Sequence, residues 1–513
     1  MRRSEVKGQR SHRAWSRGLA ACALCLLTSD LLGCAKAQPS PSSSFISNRQ
    51  LSPDPLRELQ QDILAATAQP GVQRAAWGIV VESLGRGDRL FELNARHLLV
   101  PASVAKLVSL ATAVGAVGWD YRYETTLLAA GPIVDGVLDG DLIVVGSGDP
   151  AMGGRGGDDV GLLVSALEAL GIHRIDGNII GDDDAFEDPR PGLAWAWDDV
   201  GYTFGSLYGA LNLAENRMAV TIAPGAIEGG PTTITVDPQA AYRPLANRSV
   251  TGPRGSVQLL WPEQRPGDTF LTLAGSIPVG AAAATLNVSS GNPTYWFASV
   301  LRNRLLRDGI EITGDAFDVD DYVPRPDRLS ARVIYTYRSR PLSELAQPMM
   351  KESINLYGEA VLRLNAAAAP RTNDAALDGM GQRLASWGIA RDEWQLIDGS
   401  GLSRRNVVTP ETLVTVLRRM HDPSGMSPWM TALPVAGRDG TLDGRMKGTA
   451  AENNVRAKTG TMSNIRALAG YVRTREGEPL AFAIMVDNFE GTGAQAVAAM
   501  DAIAVRLAGF SRN

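Results

Sequence analysis

The sequence predicts an α/β fold: an antiparallel sheet flanked by helices, interrupted by a large β-rich insertion. Helical spacing near both ends is the first observation, over 55–68 and over the Ala-rich run 495–507. The second is a set of strand-like runs beside those helices, at 77–84 (WGIVVESL), 89–92, 454–459, 468–473 and 480–486. The third is a change of texture between them. From residue 121 to about 288, short β-rich runs alternate with Gly/Asp/Pro turns. Helices at both ends that share one sheet make a single layered domain, so the middle reads as an insertion.

The elements follow in order. The run 103–117 (SVAKLVSLATAVGAV) is almost wholly apolar or small, follows Pro101 and stops at Gly118. It predicts a buried helix. Within the insertion, 142–145, 218–222 and 232–236 read as strands. Helix-like patterns return near Tyr295, and 353–364 can form a helix. The strands 468–473 and 480–486 are joined by a turn at Glu476-Gly477-Glu478. The expected domains are 51–120 with 301–513, and the insertion 121–300.

The chain has 513 residues, enough for two or three domains, with 44% hydrophobic and 20% charged residues and a formal net charge of −5. That is an ordinary globular composition, without the basic clusters that nucleic acid requires. The first residues read as an export signal. Arg2, Arg3, Lys7, Arg10, Arg13 and Arg17 precede a short apolar run at 18–27. Ala35-Lys36-Ala37 fits cleavage before Gln38, giving a signal peptide over 1–37. Leu31-Leu32-Gly33-Cys34 resembles a lipobox and would leave Cys34 as a membrane anchor, although Asp30 sits close to it. Both outcomes place the chain in the cell envelope or periplasm. The Pro/Ser-rich 38–50 reads as a linker. All three cysteines, Cys22, Cys25 and Cys34, lie in this leader. Beyond it there is no disulfide, no thiol nucleophile and no cysteine metal site.

Three short motifs carry chemistry. Ser103-Val104-Ala105-Lys106 sets a hydroxyl and an amine one helical turn apart on the same face. A serine needs a neighbour to take its proton, and a lysine among Val, Ala and Leu side chains can be partly neutral. Taken singly the spacing says little, because Ser4 and Lys7 repeat it and Ser103 could simply cap a helix. Ser353-Ile354-Asn355 adds a hydroxyl that could relay a proton and an amide that could hold a peptide. That pattern also recurs, at Ser290-Gly291-Asn292 and Ser511-Arg512-Asn513. Lys458-Thr459-Gly460-Thr461 is the only KTG in the chain. On a strand, Lys458 and Gly460 share a face. The ammonium suits a substrate carboxylate, and the glycine admits a ligand close to the backbone.

The order SxxK, SxN, KTG, on helix start, loop-to-helix and strand, decides between these readings. With it come Val100-Pro101-Ala102-Ser103, Gly146-Ser147-Gly148-Asp149-Pro150, Asp398-Gly399-Ser400-Gly401-Leu402-Ser403-Arg404 and Gly437-Arg438-Asp439-Gly440-Thr441-Leu442. From about Leu59 onward the chain resembles the D-alanyl-D-alanine carboxypeptidase/endopeptidases of the low-molecular-mass class C penicillin-binding proteins. Those are serine peptidases with a β-lactamase/transpeptidase-like domain. The long stretch between Lys106 and Ser353 matches the family's insertion, which class A β-lactamases lack.

The resemblance implies roles. Ser103 would be acylated by stem peptides of peptidoglycan, or by β-lactams. Lys106 would be the general base, a role disputed across these enzymes. Ser353 would carry the proton to the departing D-alanine, and Asn355 would hold Lys106 and the substrate amide. Lys458, Thr459, Gly460 and Thr461 would bind the terminal carboxylate, with the N–H groups of Ser103 and Thr461 as oxyanion hole. In the insertion, Trp197-Asp198-Asp199-Val200-Gly201-Tyr202-Thr203-Phe204 resembles the segment that reads a diaminopimelyl side chain. Asp199, or Asp198 in its place, would pair with its ammonium. Trp197 and Phe204 would wall its stem, unless they are core packing, and Arg404 would meet a carboxylate. Ile354 stands where many relatives carry Asp. This chemistry needs no cofactor and no metal. His12, His97, His173 and His421 are dispersed with no HExxH, so a zinc peptidase is not indicated, and no GxSxG elbow supports a Ser-His-Asp hydrolase.

Overall fold

The computed structural model describes residues 54–155, 157–188, 191–237, 244–265 and 268–513. The export leader, Cys34 and the linker lie outside the described residues. Five antiparallel strands form the first sheet, in the order Arg89–Leu93, Ala76–Ser83, Pro479–Asp487, Ile465–Arg473, Arg456–Met462. Alternation along the strands builds two cores. Ala467, Ala469, Tyr471, Ala483 and Met485 face the helices Ala105–Val117, Asn355–Arg363 and Pro410–Met420. Leu468, Val472, Phe482 and Ile484 face the terminal helices Pro55–Thr67 and Gly493–Ala508. Small residues on the first face let helix Pro410–Met420 lie close to the sheet. Helix Ala105–Val117 packs among the helices and is buried on every side from Ala105 to Ala113, as its largely apolar sequence requires.

Two expected helix starts shift, and both shifts concern the site. The helix expected from 103 begins as a 3₁₀ turn over Ala102–Val104, before the α-helix Ala105–Val117. The helix expected from 353 begins at Asn355. A wide π turn over Pro348–Glu352 delivers Ser353 in the left-handed region, at φ 64°, where a residue with a Cβ is strained. Ser353 therefore stands on a corner between two helical pieces.

The insertion is less purely β than its sequence texture suggests. One five-stranded sheet runs Ala316–Asp318, Ile179–Asp182, Asp141–Gly146, Glu124–Ala130, Arg332–Arg338. Helices Asp159–Ala169 and Pro293–Arg307 cover it, and smaller sheets follow. The helix-like return near Tyr295 is an element of the insertion. Trp296, Phe297, Leu301 and Leu305 pack with Leu127, Val144 and Ile179. Arg332–Arg338 then pairs antiparallel with Glu124–Ala130 at the edge of this sheet. Among the described residues, no helix is long and apolar enough to cross a membrane.

Candidate active site

The 3₁₀ turn runs directly into the α-helix, so Ser103 and Lys106, three residues apart, meet on one side. Lys106 Nζ lies 3.0 Å from Ser103 Oγ. It also lies 2.7 Å from Asn355 Oδ1 and 2.7 Å from the Ser400 carbonyl oxygen. Asn355 Oδ1 and the Ser400 carbonyl can only accept, so in the neutral amine they take both N–H groups and leave the lone pair to accept from the Ser103 hydroxyl; in the ammonium form Lys106 donates to Ser103 Oγ as well. Lys106 is fully buried, and burial lowers its pKa to about 7, against the opposing pull of Glu359 and Asp398. Once protonated, the same ammonium has three acceptors for three donors.

Asn355 opens its helix and is held on its other side, where its Nδ2 donates to the Phe204 carbonyl at 2.8 Å. Ser353 meets the third motif. Lys458 Nζ donates to Ser353 Oγ at 2.8 Å and to the Thr459 carbonyl at 2.9 Å. Lys458 is also fully buried, and burial, then Lys106, holds its pKa well below the ordinary lysine value. Strand alternation turns Thr459 the other way, where its hydroxyl donates to Thr441 Oγ1 at 2.8 Å. Thr459 therefore faces the site with backbone only. Thr461 is exposed at the strand's open end.

Two glycines let these pieces converge. A Cβ on Gly460 would sit 2.5 Å from the Pro101 carbonyl oxygen. A Cβ on Gly401, at φ 86°, would collide with the Ala102 carbonyl. Replacing Gly401 by alanine is expected to destabilise the fold by about 3 kcal/mol or more, read as a drop in urea midpoint. A midpoint matching wild type would contradict the close approach.

The sequence-predicted set separates into a core and a rim. Ser103, Lys106 and Asn355 form one hydrogen-bonded group and Ser353 with Lys458 a second, within electrostatic range of the first. On the rim, Arg404 Nη2 donates to the Ser463 carbonyl at 3.2 Å, just past the Lys458 strand. Burial, then Asp198, raises the pKa of Asp199, and the charge of Arg404 lowers it, so Arg404 stands within electrostatic range. Trp197 and Phe204 are 54% and 44% exposed, so they are not core packing; Phe204 stacks on Tyr202 at 5.3 Å. Two participants went unread in the sequence. The Ser400 carbonyl is a backbone group and leaves no residue signature. Glu359 is one helical turn past Asn355 in no recognised motif, yet it is buried beneath the 399–401 loop.

The sequence profile of the D-Ala-D-Ala carboxypeptidase 3 (S13) family matches residues 59–509. The chain belongs to this S13 family. The S13 chain is 33% identical over 525 residues to the D-alanyl-D-alanine carboxypeptidase of Actinomadura sp. (strain R39), spanning 100% of this chain and 95% of the relative. It is 27% identical over 417 residues to D-alanyl-D-alanine carboxypeptidase DacB of Haemophilus influenzae, spanning 80% and 85%. The crystal structure of penicillin binding protein 4 (dacB) from Haemophilus influenzae matches with TM-score 0.74 at 25% identity, covering 88% of this chain and 98% of that one. The S13 chain is thus a serine-type D-Ala-D-Ala carboxypeptidase with the α/β fold its sequence predicts.

Proposed function

We propose that this carboxypeptidase trims peptidoglycan stem peptides through an acyl-enzyme on Ser103. Ser103 Oγ attacks the carbonyl of the penultimate D-alanine while its proton passes to Lys106 Nζ. The departing D-alanine nitrogen takes a proton through Ser353. Lys458 and the backbone along Thr459 to Thr461 hold the terminal carboxylate, and the N–H groups of Ser103 and Thr461 receive the oxyanion. Water then releases the acyl group. The contact that carries these roles is Lys106 Nζ 3.0 Å from Ser103 Oγ, with acceptors at Asn355 Oδ1 and the Ser400 carbonyl to occupy the N–H groups of the neutral amine.

The same chemistry cuts the D-alanyl cross-link between two stem peptides, and β-lactams acylate the same serine. The deciding experiment is digestion of purified muropeptides with mass-spectrometric product analysis. Release of D-alanine from pentapeptides is expected, together with conversion of cross-linked dimers to monomers. No product from either substrate would overturn the assignment. Rapid turnover of penicillin would indicate a β-lactamase instead.

Asp199, Trp197, Phe204 and Arg404 form the proposed rim that reads the diaminopimelyl side chain. Asp199→Ala is expected to lower kcat/KM on diaminopimelate-bearing peptides about tenfold or more and to leave penicillin acylation unchanged. Equal loss on both would make Asp199 structural. The leader is proposed to export the chain to the cell envelope. The mass of the mature N-terminus distinguishes a start at Gln38 from a lipidated Cys34.

The pH dependence follows from Lys106. Below about pH 7 the amine carries a third proton and offers no lone pair. The acylation rate constant is therefore expected to fall about tenfold per pH unit on the acid side. A flat profile between pH 5 and pH 8, read with fluorescent penicillin, would remove Lys106 as the base.

A further inference from the structure

We infer that Glu359 is a positioning residue for the catalytic lysine: its carboxylate fixes the Gly399–Ser400 backbone so that the Ser400 carbonyl aims at Lys106. The inference rests on Lys106 being the base.

The backbone accounting is complete at this point. The Gly399 N–H donates to Glu359 Oε2 at 3.2 Å and the Ser400 N–H to Glu359 Oε1 at 2.9 Å. The Gly399 carbonyl accepts from Ser109 Oγ at 2.9 Å, and the Ser400 carbonyl from Lys106 Nζ at 2.7 Å. Buried backbone polar groups must find partners, and here every one is supplied by the two helices that carry the catalytic residues. Ser109 lies one turn after Lys106, and Glu359 one turn after Asn355. Gly358 allows the contact, since a Cβ there would sit 2.9 Å from the Ser400 Cα.

Two adjacent N–H donors call for two acceptor oxygens. A carboxylate offers both. An amide offers one oxygen and turns an NH₂ toward the other donor, a buried clash of like dipoles. Glu359 also acts through charge. It is 1% exposed and favours the ammonium form of Lys106. The groups that face it are Lys106, Asp398, Arg363 and Tyr208. Burial, then Asp398, drives its pKa up; the Ser400 side chain, Arg363 and the Gly399 N–H draw it down. Asp398 is itself engaged by the N–H groups of Gly401 and Ser403, at 2.8 and 2.7 Å, by Asn406 Nδ2 at 2.8 Å and by Trp195 Nε1 at 2.9 Å. Asp398 thus shapes the loop, and Glu359 seats it against the lysine.

The test compares Glu359→Gln, Glu359→Asp and Lys106→Met in the full-length protein, by pH-resolved acylation with fluorescent penicillin, with near-UV circular dichroism as folding control. Glu359→Gln is expected to slow acylation about tenfold or more and to move the acid-side midpoint to lower pH, because a charge that favoured the ammonium is gone. Glu359→Asp keeps the charge and shortens the reach, so its rate falls while its midpoint stays near wild type. A merely structural role would change the folded fraction and leave the midpoint alone in both. A folded Glu359→Gln protein with wild-type rate and midpoint overturns the inference. Should that variant not fold, Glu359→Asp decides: a wild-type acylation rate there, despite the shortened reach, overturns the inference equally. Lys106→Met separates the two levels. If it acylates normally the general-base assignment falls, and if it is inert while Glu359→Gln is normal, only the role of Glu359 falls.

Discussion

Ser103→Ala is expected to form no covalent adduct with fluorescent penicillin, and Lys106→Met to form one at least about a thousandfold more slowly than wild type. The two losses have different causes. Alanine removes the atom to which the acyl group bonds, so intact mass should show the unmodified chain at any incubation time. Methionine keeps the volume and the apolar contacts of a fully buried side chain and removes only the amine. The hydroxyl then has nowhere to send its proton, and the acceptors Asn355 Oδ1 and Ser400 O lose their donor. Both variants should fold, because neither opens a large cavity. Combining them should cost no more than Ser103→Ala alone, since the pair acts as one unit. A labelled Ser103→Ala protein would place the nucleophile elsewhere.

The chemistry was legible in the sequence where it resides in side chains at characteristic spacing. Ser103 and Lys106 have a decoy in Ser4 and Lys7, and Ser353-Asn355 has two, so order along the chain carried the information. Strand alternation foretold that Lys458 and Gly460 share a face. It also implied that Thr459 turns away, a consequence that becomes evident only when Thr441 is seen to hold it. What stayed hidden is backbone. Neither the Ser400 carbonyl on Lys106 nor the Phe204 carbonyl on Asn355 has a residue signature. The left-handed Ser353 was equally invisible, because a serine before a helix reads as a cap until the preceding π turn is known. The packing of the helix near Tyr295 was hidden for a related reason. The helix Pro293–Arg307 has the periodicity of any amphipathic helix, and periodicity does not say which core its apolar face joins.

The contact between the Phe204 carbonyl and Asn355 also ties substrate choice to chemistry. Asn355 bonds Lys106 with its oxygen and the insertion with its nitrogen, so its amide orientation is set from both sides. Trp195 and Leu193 extend the seam, through Asp398 Oδ2 at 2.9 Å and Ser403 Oγ at 2.8 Å. The insertion that carries the proposed side-chain reader is therefore bonded directly to Asn355, which in turn bonds the lysine proposed to activate Ser103.

Lys458→Met is expected to separate function from stability most sharply. Lys458 is fully buried, its Nζ donates to the uncharged Ser353 hydroxyl and Thr459 carbonyl, and burial with the nearby Lys106 disfavours its charge. A cation so placed costs the free protein stability, and methionine of similar shape removes that cost. The melting temperature of Lys458→Met should equal or exceed that of wild type. Acylation should fall about a hundredfold, because stem peptides and penicillins both present a carboxylate that the ammonium would meet. An arriving carboxylate is also the partner the site lacks. Binding should raise the pKa of Lys458 and take up a proton from solvent wherever the free lysine is partly neutral. Calorimetric titration of Ser103→Ala with a D-alanyl-D-alanine peptide in buffers of different ionisation enthalpy would read that uptake, and its absence from Ser103→Ala/Lys458→Met would assign it to this lysine. A lower melting temperature with acylation intact would instead make Lys458 a structural residue and leave the substrate carboxylate to the backbone and Thr461.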